Sequence, residues 1–162
     1  MTERDYNKDP VRYSIYKGMG GKNGAIQFNL VRFDPTRERD GKAKPEGFLL
    51  VEASPTIGKN TYDWSRKVKF AMSPEDIARF IIFSRKDGKI FHQYAGKNKT
   101  LELKGGHEDR DGLPTWLLTL SEWSGDQDRR SVTIPISAIE MTVLKRLFET
   151  AIPATMGWNI SL

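Results

Sequence analysis

Apolar and polar positions alternate with a period of two over most of this chain, and two stretches switch to the helical period. Residues 11–17 place Val11, Tyr13 and Ile15 on one face and Arg12, Ser14 and Tyr16 on the other. A glycine-rich hairpin loop, 18–24, leads to a second strand over 25–33 with Ile26, Phe28 and Leu30 facing the core. Residues 34–45 are polar and punctuated, hence an exposed loop, and 47–54 are nearly continuously apolar, a central strand. After a turn at 55–61 the alternation resumes from Tyr62 to Phe70. Tyr62, Trp64, Arg66, Val68 and Phe70 share one face, with Asp63, Ser65, Lys67 and Lys69 opposite. Ser73-Pro74-Glu75-Asp76 then opens a helix, with a serine cap, proline in the first helical position and two carboxylates in the first turn. Ile77, Phe80, Ile81 and Ser84 follow at helical spacing.

The second half repeats the organisation without repeating the letters. Strands are predicted over 89–94, 100–104, 113–123 and 129–136, with a polar loop at 105–112. Ser137-Ala138-Ile139-Glu140 has the spacing of a capping box, and Met141, Leu144, Leu147, Phe148 and Ala151 form the stripe of the helix behind it. Pro153 ends or kinks that helix, leaving an apolar tail with Trp158. The fold class is α+β: two four-stranded antiparallel sheets, each followed by a helix, ββββα–ββββα. Residues 1–10 read as a loose tail and 11–162 as one domain.

Composition narrows the chemistry. Among 162 residues, 38% hydrophobic and 29% charged describe a folded domain rather than a disordered one. A net charge of +5 is a mild bias toward acidic partners. With no cysteine, disulfides and thiolate metal sites are excluded, and no run is long and apolar enough to cross a membrane. The opening MTERDYNKDP resembles neither a signal nor a transit peptide, so a cytoplasmic or nucleoid location is expected, an organelle only for a chain trimmed of its presequence. His92 and His107 stand in unrelated settings, and neither a nucleophile elbow nor a phosphate-binding loop occurs. No enzyme, metal or cofactor is therefore expected.

The aromatic residues are more telling. Tyr13, Tyr16, Tyr62, Trp64, Phe91, Tyr94, Trp116 and Trp123 fall on predicted strands, interleaved with Arg12, Lys17, Arg66, Lys67, Lys69, Lys97 and Lys99. Single-stranded nucleic acid is held by such surfaces, with aromatic rings stacking bases and cations tracking phosphates. The plain alternative for any one residue is a core aromatic or a solvated lysine. Arg66, alternating with large apolar residues, either pairs with a carboxylate or faces a ligand.

Arg12-Tyr13-Ser14-Ile15-Tyr16-Lys17-Gly18, Tyr62-Asp63-Trp64-Ser65-Arg66-Lys67, Phe91-His92, Ile134-Pro135-Ile136 and Pro153-Ala154-Thr155-Met156-Gly157-Trp158 resemble, in order, segments of the Whirly family. The resemblance implies a single-stranded DNA-binding protein with little sequence preference, acting in replication, recombination or repair. It also implies two roughly perpendicular sheets and a homotetramer packed through its helices. Residues expected at nucleic acid are Arg12, Tyr16, Lys17, Lys22, Tyr62, Trp64, Arg66, Lys67, Lys69, Phe91, Tyr94 and Lys99. Ile81, Phe83, Leu144, Leu147, Phe148 and Trp158 are expected between subunits. The family's Lys-Gly-Lys-Ala-Ala-Leu stretch is here Lys17-Gly18, five loop residues, then Gly24-Ala25-Ile26, so no higher assembly that depends on it is inferred. Positive-cofactor transcription coactivators and kinetoplast RNA-binding proteins share a related architecture, which keeps an RNA chaperone or a transcription cofactor as the alternative.

Overall fold

The computed structural model describes residues 12–18, 23–126 and 128–158; the tail 1–10 and Lys22 lie outside the described residues. The strands are β1 (Arg12–Tyr16), β2 (Gly24–Val31), β3 (Glu38–Arg39), β4 (Lys42–Ala43), β5 (Phe48–Gly58), β6 (Thr61–Tyr62) and β7 (Val68–Met72), followed by α1 (Pro74–Phe83). Then come β8 (Gly88–Tyr94), β9 (Lys97–Glu108), β10 (Pro114–Trp123), β11 (Arg130–Ile136) and α2 (Ala138–Met156). The first sheet runs β1-β2-β5, with β6 and β7 both pairing β5. The second runs β11-β10-β9-β8, and every pairing is antiparallel. The α+β class holds. The ββββα–ββββα order is met only roughly, because β3 and β4 form a separate hairpin and β6 is an added fragment.

The strand expected from Tyr62 to Phe70 is broken. On β5, Ala53 pairs with Val68 and Thr56 with Tyr62, so residues 63–67 loop out opposite Ser54 and Pro55. Pro55 has no N–H to give a neighbouring strand and offers only its carbonyl, to the N–H of Asp63 at 3.0 Å. The Asp63 carboxylate in turn accepts from the N–H of Ser65 (3.2 Å) and from its hydroxyl, capping a 3-10 turn over Trp64–Arg66. The predicted single face of Tyr62, Trp64 and Arg66 is therefore absent.

Both helix starts form as read. Ser73 with Asp76, and Ser137 with Glu140, each make the reciprocal capping-box bonds. Pro153 does not end α2, which runs on to Met156 and stops at Gly157 in the left-handed conformation (φ 79°). The carbonyls of Ala154 and Thr155 accept from the N–H groups of Phe33 (2.9 Å) and Gly47 (2.8 Å), so the segment between β2 and β5 caps this helix.

One core joins both sheets and both helices. Phe148 of α2 meets Phe28 of β2 edge-on at 5.5 Å and Phe80 of α1 at 4.8 Å between ring centres. Leu144 and Phe148, expected between subunits, are thus corrected to residues of the chain's own core, where both are fully buried. Ile81 and Phe83 pack partly against the same core. Leu147 (43% exposed) and Trp158 (72% exposed) remain on the surface.

The sheet-to-helix junction carries a charge pair. Lys17, just past β1, lies 2.7 Å from the Glu140 carboxylate at the start of α2. Partial burial alone raises the Glu140 pKa; hydrogen bonds from Lys17 and Ser137 and the Lys17 charge outweigh it and hold the group below its ordinary value. A carboxyl whose folded pKa is depressed adds stability above its unfolded pKa of about 4.3, lost as pH falls through the folded value. Replacing Glu140 by Gln should cost about 1 kcal/mol at pH 6, and that difference should shrink toward zero near pH 3 in paired urea titrations.

Candidate nucleic-acid interface

Because strand side chains alternate, burying one face of the first sheet leaves a second face whose membership the register dictates. Its rows are Arg12–Asn29–Leu50–Ala71, Ser14–Gln27–Glu52–Lys69, and Tyr16–Ala25–Ser54, with Lys67 two residues before Lys69. A carboxylate sits at the centre. Glu52 is nearly buried, and it accepts from the Asn29 amide (3.3 Å) and pairs with Lys67 at 2.6 Å. The Asn29 side-chain oxygen accepts from the Arg12 guanidinium at 2.7 Å. This chain of contacts fixes Arg12 and Lys67 over the sheet, while Lys69 is exposed beside them. At the far corner Tyr16 (56% exposed) and Tyr62 meet at 5.5 Å between ring centres.

The looped-out segment places Trp64 half-buried and Arg66 exposed on the 3-10 turn. Arg66 therefore bears no burial cost, and the choice posed by strand alternation disappears with the strand. Lys17 is held by Glu140 at the edge of this face.

The second sheet contributes in two directions. On its outer side, exposed Phe91 lies 6.2 Å from Trp123, and the Arg129 guanidinium sits 4.5 Å above the Trp123 ring. On the other side the apolar rows give way to charge: His92, Lys99, Glu122 and Arg130 share one cross-strand row beyond Ile90–Leu101–Leu120–Val132. Glu122, nearly buried, is paired by Lys97 (3.3 Å) and Arg130 (3.1 Å). Lys99 stands among these groups with its pKa pushed down, first by desolvation and then by the charges of Lys97, Lys69 and Arg130, against the pull of Glu122. Phe70, next to Lys69 on β7, stacks on His92, the cross-strand neighbour of Lys99, so the edge of the first sheet meets the charged end of the second. Tyr94 is exposed there, with the Arg39 guanidinium from the β3–β4 hairpin 4.9 Å from its ring centre.

Arg12, Tyr16, Tyr62, Lys67 and Lys69 thus gather on the first sheet and its edge, Lys99 and Tyr94 on the charged end of the second, and Phe91 on the far side. Sequence reasoning missed Asn29, Glu52, Glu122 and Arg39. Glu52 stood out only as one carboxylate in an apolar run; Arg39 and Tyr94, distant in sequence, carried no signal of their meeting.

Comparison with known proteins places this surface in context. The family model described as "Whirly transcription factor" matches residues 15–147. The chain is 30% identical over 156 residues to the mitochondrial single-stranded DNA-binding protein WHY2 of Arabidopsis thaliana, covering 91% of this chain and 63% of that protein. It is 27% identical to the chloroplastic single-stranded DNA-binding protein WHY1 of Solanum tuberosum, covering 94% and 57%. The chain thus spans roughly three-fifths of the length of these relatives. The crystal structure of WHY3 from Arabidopsis thaliana superposes with a TM-score of 0.76 at 28% identity, covering 93% of this chain and 91% of that one. The structure of the plant transcriptional regulator PBF-2 gives 0.74 at 26%, covering 93% and 85%. The expected cytoplasmic or nucleoid location is corrected by these findings, since the relatives are named mitochondrial or chloroplastic and point to an organelle.

The crowding of Lys99 makes a test of its own. A lysine whose folded pKa is depressed costs stability while charged, and the cost is relieved as pH rises through the folded value. Lys99→Gln should therefore raise the unfolding free energy read from urea titrations at neutral pH, by an amount on the order of 0.5–1 kcal/mol. The gain should narrow as pH approaches about 10.

Proposed function

The chain belongs to the Whirly family, and from that premise we propose that it is a non-enzymatic protein that binds single-stranded DNA with little sequence preference. The observation that carries this reading is one sheet face that holds Arg12, Lys67 and Lys69 and, at its corner, the Tyr16–Tyr62 ring pair. Exposed rings stack unpaired bases, and the neighbouring cations meet phosphates. A duplex, whose bases are already stacked, offers such rings nothing. The curated relatives are named single-stranded DNA-binding proteins. Replication, recombination or repair are the processes in which such a strand is exposed. A second reading, a transcriptional role on the same DNA face, is supported by the matching family's description as a transcription factor and by the likeness to the transcriptional regulator PBF-2.

We further propose a homotetramer, with the two sheets of each subunit crossing at roughly right angles. Leu147, Val143 and Ile139 on α2, with Ile82 on α1 and Trp158 beyond α2, are large apolar side chains left exposed on the helical side. A lone chain would show this surface to water. Leu147→Asp should convert the assembly to smaller species by light scattering, leaving the far-ultraviolet spectrum unchanged. A chain of 18.5 kDa that remained monomeric and bound DNA fully would exclude the tetramer.

Fluorescence anisotropy with matched single- and double-stranded oligonucleotides tests the binding itself. The single strand should win, its affinity falling steeply with salt. Tyr16→Ala should weaken binding by about 1–3 kcal/mol without loss of stability. Lys69→Gln should lower the salt slope by about one. Equal affinity for duplex would refute the reading, and tighter binding of matched RNA would favour an RNA partner.

A further inference from the structure

Tyr62 sits on β6, a strand of two residues that pairs with β5 at Thr56 and Gly58 in an irregular register, and the chain leaves the sheet directly after it. So short a strand gives its side chains little hold. The neighbouring β1–β2 hairpin supplies it. Both ends of the connection between β1 and β2 are tied to the β5–β6 hairpin. The Asn23 carbonyl accepts from the N–H (3.3 Å) and the hydroxyl (2.9 Å) of Thr56, and the Gly18 carbonyl accepts from the N–H of Asn60 at 3.4 Å. Asn60 turns there in the left-handed conformation, with φ 54°. Gly18 is buried in this joint. A β-carbon on it would stand 2.7 Å from the Tyr62 hydroxyl oxygen, 2.7 Å from the Asn60 side-chain oxygen and 2.8 Å from the Asn60 Cα. Comfortable contacts between carbon atoms begin near about 3.5 Å, and the Asn60 Cα is backbone that cannot swing aside. Gly18 does not have the left-handed backbone seen at Gly41 or Gly157, so what the joint asks of it is room.

We infer that Gly18 is a positioning residue for nucleic-acid binding. Its missing side chain lets the β5–β6 hairpin close on the β1–β2 connection and brings the Tyr62 ring to 5.5 Å from Tyr16, with 49° between the planes. The inference rests on the single-stranded DNA reading, in which those two rings meet bases. Gly18 acts through Tyr62 and touches no base itself. Tyr16 needs no such help, because it belongs to the five-residue strand β1 and pairs with Ala25 in regular register. A ring already in place loses less freedom when a base stacks on it, so the joint supports affinity without choosing among bases.

The experiment is a double-mutant cycle, read by anisotropy of a labelled oligothymidine on the full chain. Tyr62→Ala alone should weaken binding about tenfold. Gly18→Ala should weaken it about three- to tenfold when Tyr62 is present, and by less than about twofold in the Tyr62→Ala background. Should Gly18→Ala fail to fold by circular dichroism, Asn60→Val carries the same cycle, since a β-branched residue resists the left-handed conformation and opens the joint from its other side. Wild-type affinity in the folded variant overturns the inference and leaves single-stranded binding standing. An equal loss with and without the Tyr62 ring also overturns it, because that marks a general structural role. Loss of the folded state in both variants overturns it as well, the joint then serving the fold rather than the ring. If Tyr62→Ala by itself binds as the wild type does, or the wild type binds no oligomer, the DNA reading of this corner fails and the Gly18 assignment falls with it.

Discussion

Phe148 reaches Phe28 on one sheet and Phe80 on the first helix, and this contact stands at the centre of a core that must serve two sheets and two helices at once. Eight principal strands offer more sheet surface than two helices can cover. The structure answers by turning one face of each sheet into a shared interior, filled by residues such as Val51, Phe70, Leu118 and Ile134. Since successive strand side chains point to opposite faces, sealing the inner rows releases the outer rows for chemistry. Arg12, Tyr16 and Lys69 are exposed because Tyr13, Ile15 and Phe70 are needed inside.

Three nearly buried carboxylates then do a common job. Glu52 holds Lys67, Glu122 holds Lys97 and Arg130, and Asp76 holds Arg79 and His92. Each is costly to bury alone and is offset by its ion pairs and hydrogen bonds, so the partner side chains are pinned in place rather than left swinging. Glu52 and Glu122 lie at the rim of the core on the surface proposed for DNA. Positioned cations lose less entropy on meeting a phosphate than free ones, which converts a burial cost into preorganisation. Lys99 is the counterpoint: burial first, and the charges of Lys97, Lys69 and Arg130 after it, disfavour its charged form against the pull of Glu122.

Much of this was legible along the chain. The helix starts lie at Ser73, read as a serine cap, and at the Ser137–Glu140 capping box, and the eight principal strands fall near the predicted stretches. These are local matters, decided within a few residues by hydrogen-bond geometry and side-chain period. The break after Tyr62 was not legible, although its cause is a single residue. Pro55 disrupts pairing on the neighbouring strand, and only the register places it opposite Asp63. Pro153 does not end its helix, one of the two outcomes its position allowed. Its helix continues because the Phe33 and Gly47 N–H groups cap the final carbonyls, a contact between distant segments.

The sequence by itself determined both helices, most strands, the class of the fold and the idea of an aromatic, cationic surface, because each rests on short-range pattern or composition, while the family was reached through segments that resemble it. Tertiary structure alone decided which of those residues share a surface. Leu144 and Leu147 are three positions apart on one helix, yet one is buried in the core and the other exposed. Lys67 and Lys69 alternate on one predicted face, yet one is tied to Glu52 and the other exposed. Periodicity assigns a side chain to a face, whereas partnership depends on which strand lies opposite and how far the apolar rows extend before charge begins. That is settled by long-range register and by the finite extent of one shared core, neither of which is written in any local stretch.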